Sequence, residues 1–437
     1  MRKFIFIIFL LSFALNSCSD YESVDLPGDV PSTMKNTDIA SFSKKSSPKK
    51  EKGKLSSQDA KAYEKNIAYK IILPGLSVEG PNFALDANDL NFANYKLKFK
   101  IIAKPIIANN IIYLLDNYAN IIALDLATKK ELWKTGLNYT EGNKKFISGS
   151  MIYRDNIIYV TYGDNLVAAV NAGSGYEIFR KKTNTIIDMR PVLYKEKLYL
   201  QSMNDSIESI GAKYGNLIWR QPNQQDQSLI SDLPNPIVYE NKWLISFNSL
   251  GSVVINDLFD GKKLFEFELN FDDLEENKNY KNNVINQTIL NKNSLYILIN
   301  NNYVVNYNIE KKSIIWKAKI ATIQKITLCG NAIIAVTGSS KALALSSNNG
   351  DVIWSKDLLP ENRVNKKNIT IATPPIVAAG DIFVATNDCI YKLSIDNGEI
   401  LNKYPLNSYE RTVEFSSYKG QLVLFTDKTI YLLGDKK

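Results

Sequence analysis

Histidine is absent from all 437 residues. That absence removes Ser-His-Asp hydrolysis, histidine-ligated metals and covalently attached haem, each of which needs an imidazole. Cysteine is almost as scarce, with Cys18, Cys329 and Cys389 far apart in the chain. The last two fall in segments that read as strands of different repeats, so both are expected as small apolar core residues and not as a disulfide. The apolar run from Phe4 to Leu15 is too short to cross a hydrocarbon core of ~30 Å as a helix. The formal charge is +8, but many of the basic residues sit between Lys44 and Lys54. A charge placed in one polar segment is no evidence for a nucleic-acid surface on the folded part.

What the chain does contain is a repeat. Thr373 to Leu406, TPPIVAAGDIFVATNDCIYKLSIDNGEILNKYPL, reads as four short strands separated by turns. Gly380-Asp381 and Asp396-Asn397-Gly398 supply the positive φ that tight hairpins need, which makes the strands antiparallel neighbours. Upstream the same pattern ends at Trp133, Phe179, Trp219, Phe265, Trp316 and Trp354, and the Thr373 copy ends at Leu401. Successive spacings are 46, 40, 46, 51, 38 and 47 residues by subtraction. That is the range of a four-stranded propeller blade. An eighth, partial copy starts at Gln421 and stops where its last strand is due. Tyr95 to Ile101, YKLKFKI, alternates like an outer strand and is the expected donor of the missing one. The fold class expected is therefore all-β, an eight-bladed propeller over 95–437 closed by an N-terminal strand, which removes two free sheet edges. The aromatics that close the repeats are expected to pack between blades.

Ahead of the repeats, Arg2 and Lys3 precede the Phe4–Leu15 run, and residues 1–17 read as a secretory signal. Leu15-Asn16-Ser17-Cys18 resembles the bacterial lipobox, which implies lipidation at Cys18. Ser19, where an aspartate would imply inner-membrane retention, implies the inner leaflet of the outer membrane. Several acyl chains, at ~0.8 kcal/mol per buried CH₂, would make a stable anchor. Residues 18–62 are too polar to offset their ordering entropy and read as a tether. Residues 63–94 contain ILPGL and EGPN and read as an irregular segment.

In a propeller the inter-blade connections share one end with the second-to-third hairpins. Here the long connections are Gly136 to Phe146, Gln221 to Pro234, Leu269 to Val284 and Leu358 to Ile371, all at that end. Long loops gathered on one face of a rigid scaffold mark a binding surface. Two entrances on this face join apolar residues to a charge: Ile186-Ile187-Asp188-Met189-Arg190 into the third blade, and Leu229-Ile230-Ser231-Asp232-Leu233 into the fourth. An arginine among exposed apolar side chains is interface chemistry. The alternative is a structural Arg190 that pairs with an acid, Asp188 or Asp232, across a blade junction.

The repeat, ALD then a turn then Trp, resembles that of the quinoprotein propellers. The quinoprotein alcohol dehydrogenases cover their cofactor with a disulfide between adjacent cysteines, and this chain has no such pair. Signal, lipobox, tether and eight blades together resemble the BamB family, propeller lipoproteins of the β-barrel assembly machinery of Gram-negative outer membranes. The resemblance implies a non-catalytic periplasmic scaffold without cofactor or metal, a monomer within a complex, bound to the periplasmic domains of the central barrel-assembly subunit, a BamA-like protein. It implies partner contacts at Ile187, Met189 and Arg190, and at Ile230, Asp232 and Leu233. The other readings it leaves open are a quinone-dependent oxidoreductase and a sugar- or ligand-binding propeller.

Overall fold

In the computed structural model the described residues run from 91 to 434, without 138–145, 147, 164, 185, 188, 223–232, 250, 270–283, 340, 359–373, 379, 387–388, 407–411 and 419–420. The signal segment, Cys18, the tether and the irregular segment to residue 90 lie outside them. Each repeat folds into one four-stranded antiparallel sheet whose strands follow in chain order. Seven blades span 106–136, 149–182, 192–221, 237–268, 285–319, 323–357 and 376–405. In the eighth, Thr412–Tyr418, Gln421–Thr426 and Thr429–Gly434 are completed by Asn91–Lys96. The chain is all-β and forms an eight-bladed propeller closed by strands from its two ends.

The closing strand, Asn91–Lys96, starts four residues before the expected Tyr95 and stops five before Ile101. Its pairing runs from Asn91 opposite Gly434 to Lys96 opposite Thr429. The alternation of Leu97, Phe99 and Ile101 has a different origin. These residues cross from the eighth blade to the first and pack with Ile112, Leu114, Val423 and Phe425. Leu97 N donates to Lys428 O at 2.7 Å and Ile102 N to Leu115 O at 3.0 Å. Both a paired strand and a crossing between two apolar walls require every second residue to be apolar, so periodicity alone does not separate them.

Neighbouring blades are joined by one device repeated around the ring. The aromatic of each outer strand lies on the turn between the third and fourth strands of the next blade, where a residue with positive φ lets the backbone approach the ring. Trp133 meets Gly175, Phe179 meets Gly215, Trp219 meets Gly261, Trp316 meets Gly350 and Trp354 meets Gly398. The indole Nε1 donates to Ala172 O at 3.1 Å from Trp133, to Ser347 O at 2.9 Å from Trp316, and to Ile395 O at 3.0 Å from Trp354. In the first six blades the outer strand carries a bulge just before the aromatic, which aims the ring at the neighbour. In the seventh blade the bulge aligns Asn402, not Leu401, with the tryptophans. The final spacing is thus 48 (402 − 354) and the position carries no aromatic. The reason is topological. The eighth blade takes its fourth strand from the other end of the chain and has no third-to-fourth turn to receive a ring. Its own outer strand restores the contact through Tyr95, whose OH donates to Lys129 O at 3.3 Å in the first blade.

Second-strand tyrosines reinforce these junctions. Tyr113 OH and Tyr199 OH donate to Ala172 O and Leu258 O at 3.3 and 3.1 Å. Burial pushes the phenols of Tyr113, Tyr199 and, in the third strand of the fifth blade, Tyr307 from about 10 up to about 12. Cys329 and Cys389 are not joined in a disulfide and belong to the packing of the sixth and seventh blades.

Two outcomes are expected. Gly398→Ala forces a Cβ to 2.5 Å from the Trp354 ring at a φ of +71°; it should cost about 2 kcal/mol, and Trp354→Ala about 3–5 kcal/mol, in urea unfolding midpoints followed by far-UV circular dichroism. A raised phenol pKa means that the native state holds its proton more tightly than the unfolded chain. The stability contributed by the three tyrosines is then complete below pH 10 and is lost as pH rises towards 12. Phenolate absorbance should show three tyrosines ionising only with unfolding in that window.

Candidate functional site

The inner strands and the segments that lead into them surround the channel. The entrance to the third blade is fixed by a series of polar contacts. Thr183 N donates to Asn165 O at 2.8 Å, and Met203 N to Ile186 O at 3.0 Å. Asn184 N reaches Glu208 Oε1 at 3.4 Å, a carboxylate already held by Arg220 Nε at 2.9 Å. Thr161 Oγ1 donates to Met189 O at 3.4 Å, and Arg190 N to Asn235 Oδ1 at 2.8 Å at the entrance to the fourth blade. Every buried backbone group needs a partner, and here the partners come from the second, third and fourth blades. The segment is therefore a joint between blades as well as a loop.

Side chains follow from that anchoring. Ile187 and Met189 are 2% and 4% exposed, and Leu233 is 5% exposed. Ile187 belongs to the packing between the second and third blades, with Ile152, Tyr159 and Leu198. The apolar flank expected at a partner surface thus points inward at these three positions. Ile186, at 38%, is the apolar side chain that faces out. The sequence shows an apolar pair and a charge; which member of the pair faces solvent is set by the distant anchors Asn165, Glu208 and Met203.

Arg190 keeps some solvent contact, but loss of hydration lowers its guanidinium pKa, while the Glu414 carboxylate opposes that shift. Glu414 lies on the inner strand of the eighth blade and also receives Lys104 Nζ at 2.8 Å. The acid whose charge bears on Arg190 is therefore three blades away around the ring. Asp188, Ile230 and Asp232 lie outside the described residues, so the cross-junction pairings expected for Asp188 or Asp232 do too. Glu414 thus pairs with Lys104 of the segment leading into the first blade and bears on Arg190 through its charge.

Further clamps repeat the principle. Gln287 of the fifth blade donates to Ile326 O at 2.8 Å and accepts from Ile326 N at 2.9 Å in the sixth. Thr327 Oγ1 donates to Pro375 O at 2.6 Å in front of the seventh. On the loop face, Asp205 accepts Ser249 N at 3.1 Å and Ser249 Oγ at 2.6 Å, which joins the hairpins of the third and fourth blades; burial raises its carboxyl pKa against those bonds. Among the described residues no three acids or cysteines converge as a metal-binding group.

Arg190→Glu places a second carboxylate near Glu414 in a partly desolvated channel. It should cost roughly 3 kcal/mol or more of stability. Ile186→Glu, at an exposed position, should stay within about 0.5 kcal/mol of the native protein. Chemical denaturation of the two variants checks both.

Comparison with known proteins adds the following. A family profile described as outer membrane protein assembly factor BamB matches residues 117–356. The chain is 25% identical over 333 residues to an uncharacterised protein of Rickettsia conorii, covering 74% of this chain and 80% of that one. Among solved structures it is similar to BamB from Moraxella catarrhalis, with a TM-score of 0.65 at 11% identity over 79% of this chain and 100% of that one. It is also similar to the quinohemoprotein alcohol dehydrogenase from Comamonas testosteroni, with a TM-score of 0.59 at 11% identity over 87% and 85% of the two chains. At such identities the two structures speak for the fold alone.

Proposed function

Because the chain belongs to the PQQ-like propeller family described as outer membrane protein assembly factor BamB, we propose that it is a non-catalytic scaffold of outer-membrane protein assembly. In this reading it works at the periplasmic side of the outer membrane, anchored through Cys18, and its loop face holds the periplasmic domains of the central barrel-assembly subunit. The observation that carries the reading is the family match across 117–356. The polarity of the ring supports it: the described residues that flank the long connections lie at one end, beside an inner wall fixed by polar clamps.

The geometry divides the labour among the residues concerned. Buried Ile187, Met189 and Leu233 seat the entrances of the third and fourth blades. Arg190 fixes the third entrance against the channel and keeps its neighbours in register. Direct contact with the partner then falls to Ile186, the outward side chain of the third entrance, together with Ile230 and Asp232, which lie outside the described residues. A rigid platform of this kind lowers the ordering cost of binding, because the backbone is already held.

Photo-crosslinking in intact envelopes tests the reading. A probe at Ile186 should capture the central barrel-assembly subunit, and a probe at Asn397, on the opposite face, should not. Ile186→Glu should weaken binding of the purified subunit's periplasmic domains about tenfold, the size expected when a carboxylate replaces an interface aliphatic. Capture from neither probe, with native affinity in the Ile186 variant, would remove the loop face from the proposal.

A further inference from the structure

The short-hairpin end of the ring has its own chemistry, which the scaffold reading does not use. The turns between third and fourth strands are alike in backbone, since each must present its positive-φ residue to the preceding blade, and they differ at their tips. In the second, third and fourth blades the tips carry Tyr176, Tyr214 and Phe259, exposed by 73%, 64% and 78%. Lysines accompany them. Lys197 Nζ lies 4.6 Å from the Phe259 ring centroid and Lys213 Nζ 4.9 Å from that of Tyr214. Lys262 follows in the fourth blade and Lys311 and Lys312 in the fifth, all three exposed.

The same turns in the sixth and seventh blades read Asn348-Asn349-Gly350-Asp351 and Asp396-Asn397-Gly398-Glu399. The turns of the second to fifth blades thus carry the exposed aromatics and the lysines, with the acids Asp260 and Glu310 among them, whereas those of the sixth and seventh carry acids and neither an aromatic nor a lysine. Phe259 is not explained by the fold: the Gly261 beside it accepts the Trp219 ring and makes the blade contact. An exposed phenylalanine at a turn tip is a marker of an interaction surface. Aromatic rings flanked by lysines suit one surface above others, the headgroup region of an anionic bilayer, where rings sit at the polar boundary and ammonium groups meet phosphates.

We propose that the sector of blades two to five, led by Tyr214 and Phe259, rests on an anionic phospholipid surface and orients the ring on it. The loop face then points away from the bilayer. The docking depends on lipid alone and is independent of any assembly partner.

The test uses the full chain with a tryptophan reporter, as Phe259→Trp or Asn397→Trp, and the native protein's fluorescence subtracted. The probes are phosphatidylcholine vesicles with brominated chains, with and without phosphatidylglycerol. An acyl anchor elsewhere in the chain brings the ring to a vesicle without choosing the side that faces it, so the two positions report orientation. Position 259 should be quenched and position 397 should not, and only with phosphatidylglycerol present. In the Phe259→Trp background, Lys197→Glu, Lys213→Glu and Lys262→Glu together should raise the lipid concentration for half quenching about 100-fold, near fivefold for each charge removed from the surface. Circular dichroism of the triple variant keeps loss of folding apart from loss of docking. Equal quenching at both positions, quenching at neither, or quenching undiminished in the folded triple variant would overturn the proposal.

Discussion

Everything in this ring depends on the contact between an outer-strand aromatic and the turn of the next blade. A single four-stranded sheet leaves two apolar faces to be covered, and a neighbour covers one of them only if it is held at a fixed angle. The aromatic sets that angle from outside, where blades diverge, because its flat face needs a turn without a Cβ beneath it. Where glycine is missing, the pairing adapts. In the fifth blade Lys312 adopts a φ of +51° and places its Nζ 4.6 Å from the centroid of Phe265, so a cation–π contact replaces the indole and glycine pair.

Closure follows from the same contact. A ring must make its last junction with the material of its first, and here the eighth blade takes its fourth strand from Asn91–Lys96. The N-terminal strand supplies both the missing ladder and, in Tyr95, the missing aromatic. The residue it meets, Lys129, has a φ of +60° and stands where five other blades have glycine and the fifth has Lys312. Asn402 marks the other side of the same circumstance. The eighth blade has no hairpin there, and the aromatic is absent where it would have had no target.

Much of this was legible in the sequence. Asn-Gly and Gly-Asp pairs announced hairpins, the recurring aromatic announced blades, and the shortfall after Gln421 announced closure, since each is a local chemical requirement of the backbone. What escaped the reading depends on pairings between distant residues. The bulge that shifts the seventh repeat by one residue exists only in the register of two strands. The extent of the closing strand was blurred because Leu97, Phe99 and Ile101 alternate for a different reason. At the third entrance the sequence marked Ile187, Met189 and Arg190 as notable, but their inward direction is fixed by Glu208, Asn235 and Thr161. The acid that faces Arg190 is more than 200 residues away in the chain, at Glu414.

The two ends of the ring evolve under different constraints. At one end each third-to-fourth turn must keep its length and its positive-φ residue, because the preceding blade packs on it. Variation is confined to the tips, and chemistry there is written in single side chains such as Phe259 or Asp396. At the other end the connection between blades is anchored at its last residues by clamps such as Arg190 N to Asn235, and the stretch before the clamp is free to lengthen. Loop closure costs little more as a loop grows, about 0.6 kcal/mol for each doubling. Insertions on the loop face therefore cost little stability, whereas the same insertion in a locking turn would displace a ring contact and open a junction. A propeller built on this lock has one face suited to acquiring a shaped protein partner and another suited to a flat one.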